Sequence, residues 1–159
     1  MSDPYFQLQP HPPTPTRDIC SCPGEPPILL FRTFGPNPLH CIDCNLEVPP
    51  DRLRFSEKLA SHVASWRSFY AAFDTLWLDS GEFESWALGH LTDPTGALVA
   101  KGRAVVAELN NFRRTYLLWF RDPYLDKYKP PSSCPICTRS LASRGRALVC
   151  EACAIGIHK

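Results

Sequence analysis

The sequence predicts an α+β fold, a small mixed core of helices and strands with a four-cysteine element near each end. Three observations predict it. The eight cysteines fall in four close pairs, Cys20/Cys22, Cys41/Cys44, Cys134/Cys137 and Cys150/Cys153, grouped toward the two ends of the chain. Between them, apolar residues recur at helical spacing in two stretches. Short apolar runs such as ILLFRTF and TYLLWFR, bounded by Gly, Pro or Asp, read as strands.

Four segments follow in order. Residues 1–18 have no apolar periodicity and belong to a region holding 12 of the 17 prolines within its first 50 residues, so they are expected to form a mobile, proline-rich arm. Residues 19–121 form the expected α+β core, which includes the first four cysteines. It opens with a strand from Ile28 through ILLFRTF, and GPNP at 35–38 then turns the chain toward Cys41. Ser56 is placed to cap a helix in which Leu59, Val63, Trp66, Tyr70 and Phe73 share one face. DTLWL at 74–78 reads as a strand, and Gly81 to Leu91 as a short helix or loop. Asp93-Pro94 is expected to start a second main helix, with Leu98, Val105 and Leu109 on one face and Gly102 permitting close packing. TYLLWFR at 115–121 is expected to be a buried strand. Residues 122–133 read as a linker, and residues 134–159 as a terminal cysteine ribbon.

The cysteine spacing carries the chemistry. C-x-x-C lets two sulfurs bind one ion from a tight turn. In the C-terminal set, twelve residues separate two such pairs, Cys134/Cys137 and Cys150/Cys153, and they can form a hairpin that brings the turns together. Pro135 fits the first turn by fixing φ. The residue after each pair is expected to be left-handed, a conformation glycine favours, yet Thr138 and Ala154 stand there, which predicts a less regular turn. The N-terminal set is C-x-C, eighteen residues, then C-x-x-C, with Asn45 suited to the left-handed position after Cys44. Here three arrangements are open: a second four-cysteine site from Cys20, Cys22, Cys41 and Cys44; a site made by Cys41 and Cys44 with His40 or His62; or one pair from each end closing a single site. The cofactor expectation is Zn2+, two structural ions, giving zinc-ribbon-like four-cysteine elements near both ends.

Composition narrows the function classes. Hydrophobic residues make up 44% and charged residues 21%, a globular profile. No apolar run is long enough to span a membrane, and MSDPYFQLQPHPPTPTRD has no basic start leading into an apolar stretch, so a cytoplasmic location is expected. Four thiolates saturate zinc and leave no open position for water, and no H-E-x-x-H, G-x-S-x-G, phosphate-loop or G-x-G-x-x-G run is present. The five histidines are scattered, and Asp79, Glu82 and Glu84 read as a solvated loop. The protein is therefore expected not to be an enzyme.

The segments PLHCIDCNLEVPPDRLRF, SWRSFYAAFDTLWLDSGEFE, KGRAVVAELN and TYLLWFRD, with the terminal CPIC and CEAC, resemble a family of uncharacterised bacterial zinc-ribbon-containing proteins described as candidate nucleic-acid binders. The resemblance spans roughly residues 19 to 157. It implies zinc ligation by Cys134, Cys137, Cys150 and Cys153, and by Cys41 and Cys44.

Partner expectations follow from charge. Residues 1–100 carry 6 Lys+Arg against 12 Asp+Glu, and residues 101–159 carry 11 against 4. The first expectation is RNA or DNA bound by the basic C-terminal half, through Arg139, Arg144 and Arg146 on the ribbon hairpin and Lys127 and Lys129 before it. The alternative is a protein-interaction module, an antidote (immunity-type) protein or assembly subunit, that uses its acidic core and the aromatic supply of Trp66, Trp77, Trp86 and Trp119. No membrane and no small-molecule substrate is implied.

Overall fold

Strand pairing, rather than sequence proximity, organises the molecule. The computed structural model describes residues 3–122, 124 and 129–159. Six strands form one mixed sheet: β1 (Ile28–Leu30), β2 (Leu39–Cys41), β3 (Thr115–Leu118), β4 (Ala142–Arg144), β5 (Ala147–Cys150) and β6 (Ile155–His158). The order across the sheet is β2-β1-β3-β6-β5-β4. β1/β3 and β3/β6 are parallel, and the other pairs are antiparallel. A parallel β1–β3 pair needs a long crossover. Three helices supply it: α1 (Glu57–Asp79), α2 (Glu84–Thr92) and α3 (Ala97–Leu109).

Strand alternation sorts the apolar residues into two cores. Ile28 and Leu30 of β1, Leu117 of β3, and Ile155 and Ile157 of β6 join Leu59, Val63, Trp66, Val106 and Leu109 on the helix side of the sheet. Leu29, Tyr116, Leu118, Ala147 and Val149 face the other way and pack with Ile42 in a second, smaller core. The sheet curls around that core until its two ends meet. The Arg146 N–H in the β4–β5 turn donates to the Ile42 carbonyl just after β2 at 2.8 Å. β3 lies at the middle and is buried on both faces, which accounts for the unbroken apolar run TYLL.

The expected capped helix is present. Ser56 Oγ accepts from the Leu59 N–H at 3.2 Å, and Leu59, Val63 and Trp66 are buried. Residues 74–78 correct the reading of DTLWL as a strand, because α1 continues through them to Asp79. Phe69, Phe73 and Trp77 continue at i+4 spacing, with Phe69 and Phe73 in edge contact at 5.3 Å and Trp77 in edge contact with Phe120 at 5.0 Å. Helical periodicity therefore outweighs the β propensity of a short apolar run. The second main helix starts at Ala97 rather than Asp93, since Asp93 Oδ1 accepts from the Thr95 N–H and the Gly96 N–H closes back on the Asp93 carbonyl. The first strand ends at Leu30, because residues 33–37 form a separate hydrogen-bonded turn.

The described part of the N-terminal segment differs from a free arm. Leu8 is fully buried, and Tyr5 packs edge-on against Phe55 while its hydroxyl donates to the Phe55 carbonyl at 2.7 Å. Two apolar anchors hold a proline-rich chain that has no periodicity. The terminal ribbon also shares the core's sheet, through the β3–β6 pairing. Among the described residues, no helix is long and apolar enough to cross a membrane.

Gly102 sits where α3 meets the sheet, and a Cβ there would come within 2.8 Å of Leu117 and of Trp66 Nε1. Gly89 in α2 has open space around it. Gly102→Val is expected to destabilise the fold by about 1–3 kcal/mol through overpacking. Gly89→Ala should stabilise it by roughly 0.5–1 kcal/mol. Denaturant unfolding of both variants checks the pair, and equal midpoints would contradict the packing assigned to Gly102.

Candidate metal centres

Each four-cysteine set is assembled from two chain segments. Cys41 ends β2, and Cys44 follows in a tight turn in which the Asn45 N–H donates to the Cys41 carbonyl at 2.8 Å and the Cys41 N–H donates to the Leu46 carbonyl at 2.9 Å. Cys134 and Cys137 form the same turn. There the Thr138 N–H donates to the Cys134 carbonyl at 2.9 Å, and the Cys134 N–H donates to the Arg139 carbonyl at 2.9 Å. In both turns an amide is aimed at the first sulfur, Asp43 N–H to Cys41 Sγ and Ile136 N–H to Cys134 Sγ, each at 3.4 Å. Such amides favour thiolate over thiol.

The residue after each C-x-x-C pair is left-handed: Asn45 at φ 62°, Thr138 at 59° and Ala154 at 51°. The turns built on Thr138 and Ala154 thus keep the conformation usual for glycine, contrary to the expectation of a less regular turn. The local strain is held by the hydrogen bonds on either side. Cys20 is placed differently. Its N–H donates to the Glu47 carbonyl at 2.8 Å, beside a bridge between Ile19 and Glu47, and Pro23-Gly24 turns the chain away after Cys22.

The result is two clusters. The sulfurs of Cys20, Cys22, Cys41 and Cys44 lie within 4.8 Å of one another, and so do those of Cys134, Cys137, Cys150 and Cys153. None of the eight cysteines forms a disulfide. Four ligands at a metal–sulfur distance of about 2.3 Å form a tetrahedron with edges of roughly 3.8 Å. The contact between Cys137 Sγ and Cys150 Sγ is 3.6 Å, close to that edge. Each cluster could hold one metal ion, so of the three arrangements left open for the N-terminal cysteines, the structure has the separate four-cysteine set. Neither histidine joins it. His40 Nδ1 lies 3.0 Å from the Asn45 carbonyl, and His62 pairs with Glu108 at 2.9 Å.

The thiols differ in their hold on a proton. The Arg139 N–H, with smaller help from the neighbouring sulfurs, lowers Cys137 to about 7. Burial, reinforced by the same cluster, pushes Cys153 up to about 12. Burial also raises Cys41 far above the ordinary thiol range. In Cys44 burial acts upward, but the Leu46 N–H and the other three thiols outweigh it, and the net direction is down. Each cluster thus sets a thiol shifted downward beside one shifted upward, and a bound cation would favour the thiolate in both.

The β4–β5 turn is fixed to the first cluster. The Arg146 backbone N–H and its Nε donate to the carbonyls of Ile42 and Asp43, the two residues between Cys41 and Cys44. Gly145, at φ 48°, lets the turn approach this closely, since a Cβ would fall 2.6 Å from the Ile42 carbonyl oxygen. Glu151, between Cys150 and Cys153, accepts from Tyr116 Oη and pairs with Arg114 at 2.6 Å and Arg144 at 2.9 Å. Reasoning from sequence assigned Glu151 no role. Its position inside CEAC was the available signal, but its three partners lie in β3, β4 and the approach to β3.

The basic residues predicted to contact a partner are dispersed in their bonding. Arg139 and Lys129 are exposed. Arg144 is exposed but neutralised in part by Glu151, and Arg146 Nε is turned to the Asp43 carbonyl at 3.2 Å. Lys127 lies outside the described residues.

Fold and site define a mixed α/β protein in which two tetracysteine clusters, one at the end of β2 and one at the end of β5, could each hold a metal ion beside one curled sheet. Residues 29–120, more than half of the chain, match the family described as "Domain of unknown function (DUF2310)", and the protein belongs to that family. The chain matches no curated protein and no solved structure.

Cys44→Ser and Cys137→Ser each remove one ligand from one cluster. Each is expected to lower bound metal by about one ion per chain under mild chelation, and the double variant by about two. Elemental analysis after gel filtration reads the count. A Cys44→Ser protein that retains full metal would show that its cluster is not a metal site.

Proposed function

We propose that this is a non-enzymatic zinc protein in which two ions, each bound by four cysteines, hold a curled sheet in shape, and that it acts by binding nucleic acid through its basic C-terminal ribbon. The pair of closed, four-sulfur clusters carries the zinc reading. All-sulfur tetrahedral donor sets suit zinc, and with four protein ligands no position is left for water or substrate. These ions therefore serve the fold. The residues present fit them: both clusters offer ionisable thiols, amides aimed at sulfur and rigid turns.

Nucleic acid is the partner that the exposed cations favour. Arg139, Arg146 and Lys159 are exposed on the ribbon, and Lys129 precedes it. Phosphate contacts of this kind make affinity depend steeply on salt. Zinc-loaded protein is expected to bind an oligonucleotide in a polarisation titration, with affinity falling strongly between about 50 and 200 mM salt. Arg139→Glu/Arg146→Glu should weaken it and flatten the salt dependence, while Arg144→Glu should matter less because Glu151 already occupies that guanidinium. Absence of binding at the lowest salt would defeat this reading. Preparations should contain about two zinc ions per chain, and chelation should unfold the ribbon.

A second reading, a protein partner, is favoured by one observation. Trp86 and Phe83 are half-exposed at the α1–α2 corner, Trp86 is stacked on Phe73 at 5.5 Å, and Asp79, Glu82 and Glu84 surround the turn. A basic partner protein with an apolar anchor fits that corner. Loss of a co-purifying protein on Trp86→Ala, with nucleic-acid binding absent, would favour this reading.

A further inference from the structure

Two depressions meet at His158. The larger, about 460 Å³, is lined by Phe31, Arg32, Phe34, Trp77, Phe120 and His158 among others. The smaller, about 380 Å³, is lined by Asn45, Gly145, Arg146, His158 and Lys159. We propose that together they form one track for a single strand of nucleic acid, with a base stacked on Phe34 over the aromatic cleft and phosphates held by Arg146 and Lys159. This rests on the reading that the partner is nucleic acid, and it moves the recognition of bases away from the ribbon hairpin to the cleft beside it.

Phe34 carries the argument. It is 91% exposed, the most exposed large apolar side chain among the described residues, yet its loop is fixed. Thr33 Oγ1 donates to the Asn37 carbonyl at 3.2 Å, and Arg67 Nε donates to the Gly35 carbonyl at 2.9 Å. The buried Asn37 amide is itself held, donating to the Val48 carbonyl and accepting from the Leu39 N–H. An apolar ring fixed in water gains by being covered and loses little freedom when it is. A nucleobase offers a flat face of the right size.

The polar groups around the ring fit the same ligand. The Arg32 guanidinium lies 5.1 Å from the Phe34 ring centre and is paired with Asp74, while its buried Nε has no hydrogen-bond partner. At the other end of the track, Asn45 Oδ1 is buried without a donor. Both atoms are closed to solvent and stand at opposite ends, so the exposed cations, not these atoms, would hold the ligand. Lys159 uses one N–H on the Gly145 carbonyl, and Arg146 uses its Nε on Asp43, which leaves two N–H groups on Lys159 and four on Arg146. The carboxylates along the track are Asp74, neutralised by Arg32, and Asp43 beside Gly145. Burial, with help from Arg121, lowers His158, so the junction is a flat uncharged ring at neutral pH. A peptide would cover the rings but carries no regularly repeated anion, whereas a nucleic-acid strand places a phosphate at every residue for Arg146 and Lys159. In a duplex the base faces are already stacked, so only a single strand can offer them.

The test uses the full zinc-loaded chain and fluorescently labelled poly-U and poly-dT, each longer than the roughly 4–16 nucleotides of a typical single-strand site. A hairpin duplex and free UMP serve as competitors. The expected result is that one or both single strands bind and outcompete the duplex, that Phe34→Ala weakens binding roughly tenfold, and that Phe34→Trp restores it. Arg146→Glu should lower the logarithmic salt slope by about 0.7 for each phosphate it no longer holds. Phe34 is exposed, so its variants should melt as the parent does. Unchanged affinity of Phe34→Ala, with binding still sensitive to Arg139→Glu/Arg146→Glu, would overturn the track and leave the nucleic-acid reading standing. UMP competing as well as the strand would overturn the strand in favour of a free nucleotide. No binding to any nucleic acid at low salt overturns both.

Discussion

The left-handed residue that follows each C-x-x-C pair is the constraint on which the rest of this structure depends. With Asn45, Thr138 and Ala154 at φ between 51° and 62°, the chain reverses tightly enough to set two sulfurs side by side, and at Asn45 and Thr138 the amide also returns to the first cysteine's carbonyl. An L-residue gives up roughly 1–2 kcal/mol to stand there. The surrounding hydrogen bonds offset that cost, and an ion held by the two sulfurs would offset it further. Because Cys41 ends β2 and Cys150 ends β5, the same turns also set where strands stop and in which direction the chain leaves them.

From those turns the sheet takes its curvature. β3, the strand between the two cysteine elements in the sheet order, is buried on both faces, with helices on one side and the small Leu29, Ile42, Tyr116 and Val149 core on the other. A flat sheet would expose that second core. Curling brings the β4–β5 turn onto the Cys41–Cys44 turn, where Gly145 permits an approach that any side chain would block. The turn of the ribbon hairpin therefore buttresses the first cluster, although Asp43 and Arg146 are far apart along the chain. The curl also places His158, at the end of β6, between the aromatic cleft and the Arg146–Lys159 corner.

Charge is rearranged by the same folding. The chain reads as an acidic front and a basic back, but the fold uses several of those charges internally: Arg114 and Arg144 on Glu151, Arg32 on Asp74 and Arg113 on Glu25. Arg139, Arg146, Lys129 and Lys159 stay exposed. A count of basic residues along the sequence thus overstates how many unpaired cations the ribbon hairpin presents and passes over Lys159 beside it.

The sequence by itself determined the local features. C-x-x-C spacing determined the sulfur pairs, Ser56 with its apolar stripe determined the start and buried face of α1, and TYLL determined a strand covered on both sides, because each is set by residues within a few positions of one another. Tertiary structure decided whatever depended on distant partners. It joined Cys20 and Cys22 to Cys41 and Cys44 by pairing Cys20 with Glu47, and it kept DTLWL helical by giving Trp77 a ring to meet at Phe120. It also anchored the N-terminal segment through Tyr5 and Leu8, and it left Phe34 fixed and uncovered beside Arg32. Spacing along the chain carries no trace of these contacts, since their energies arise only when segments far apart in sequence are packed side by side.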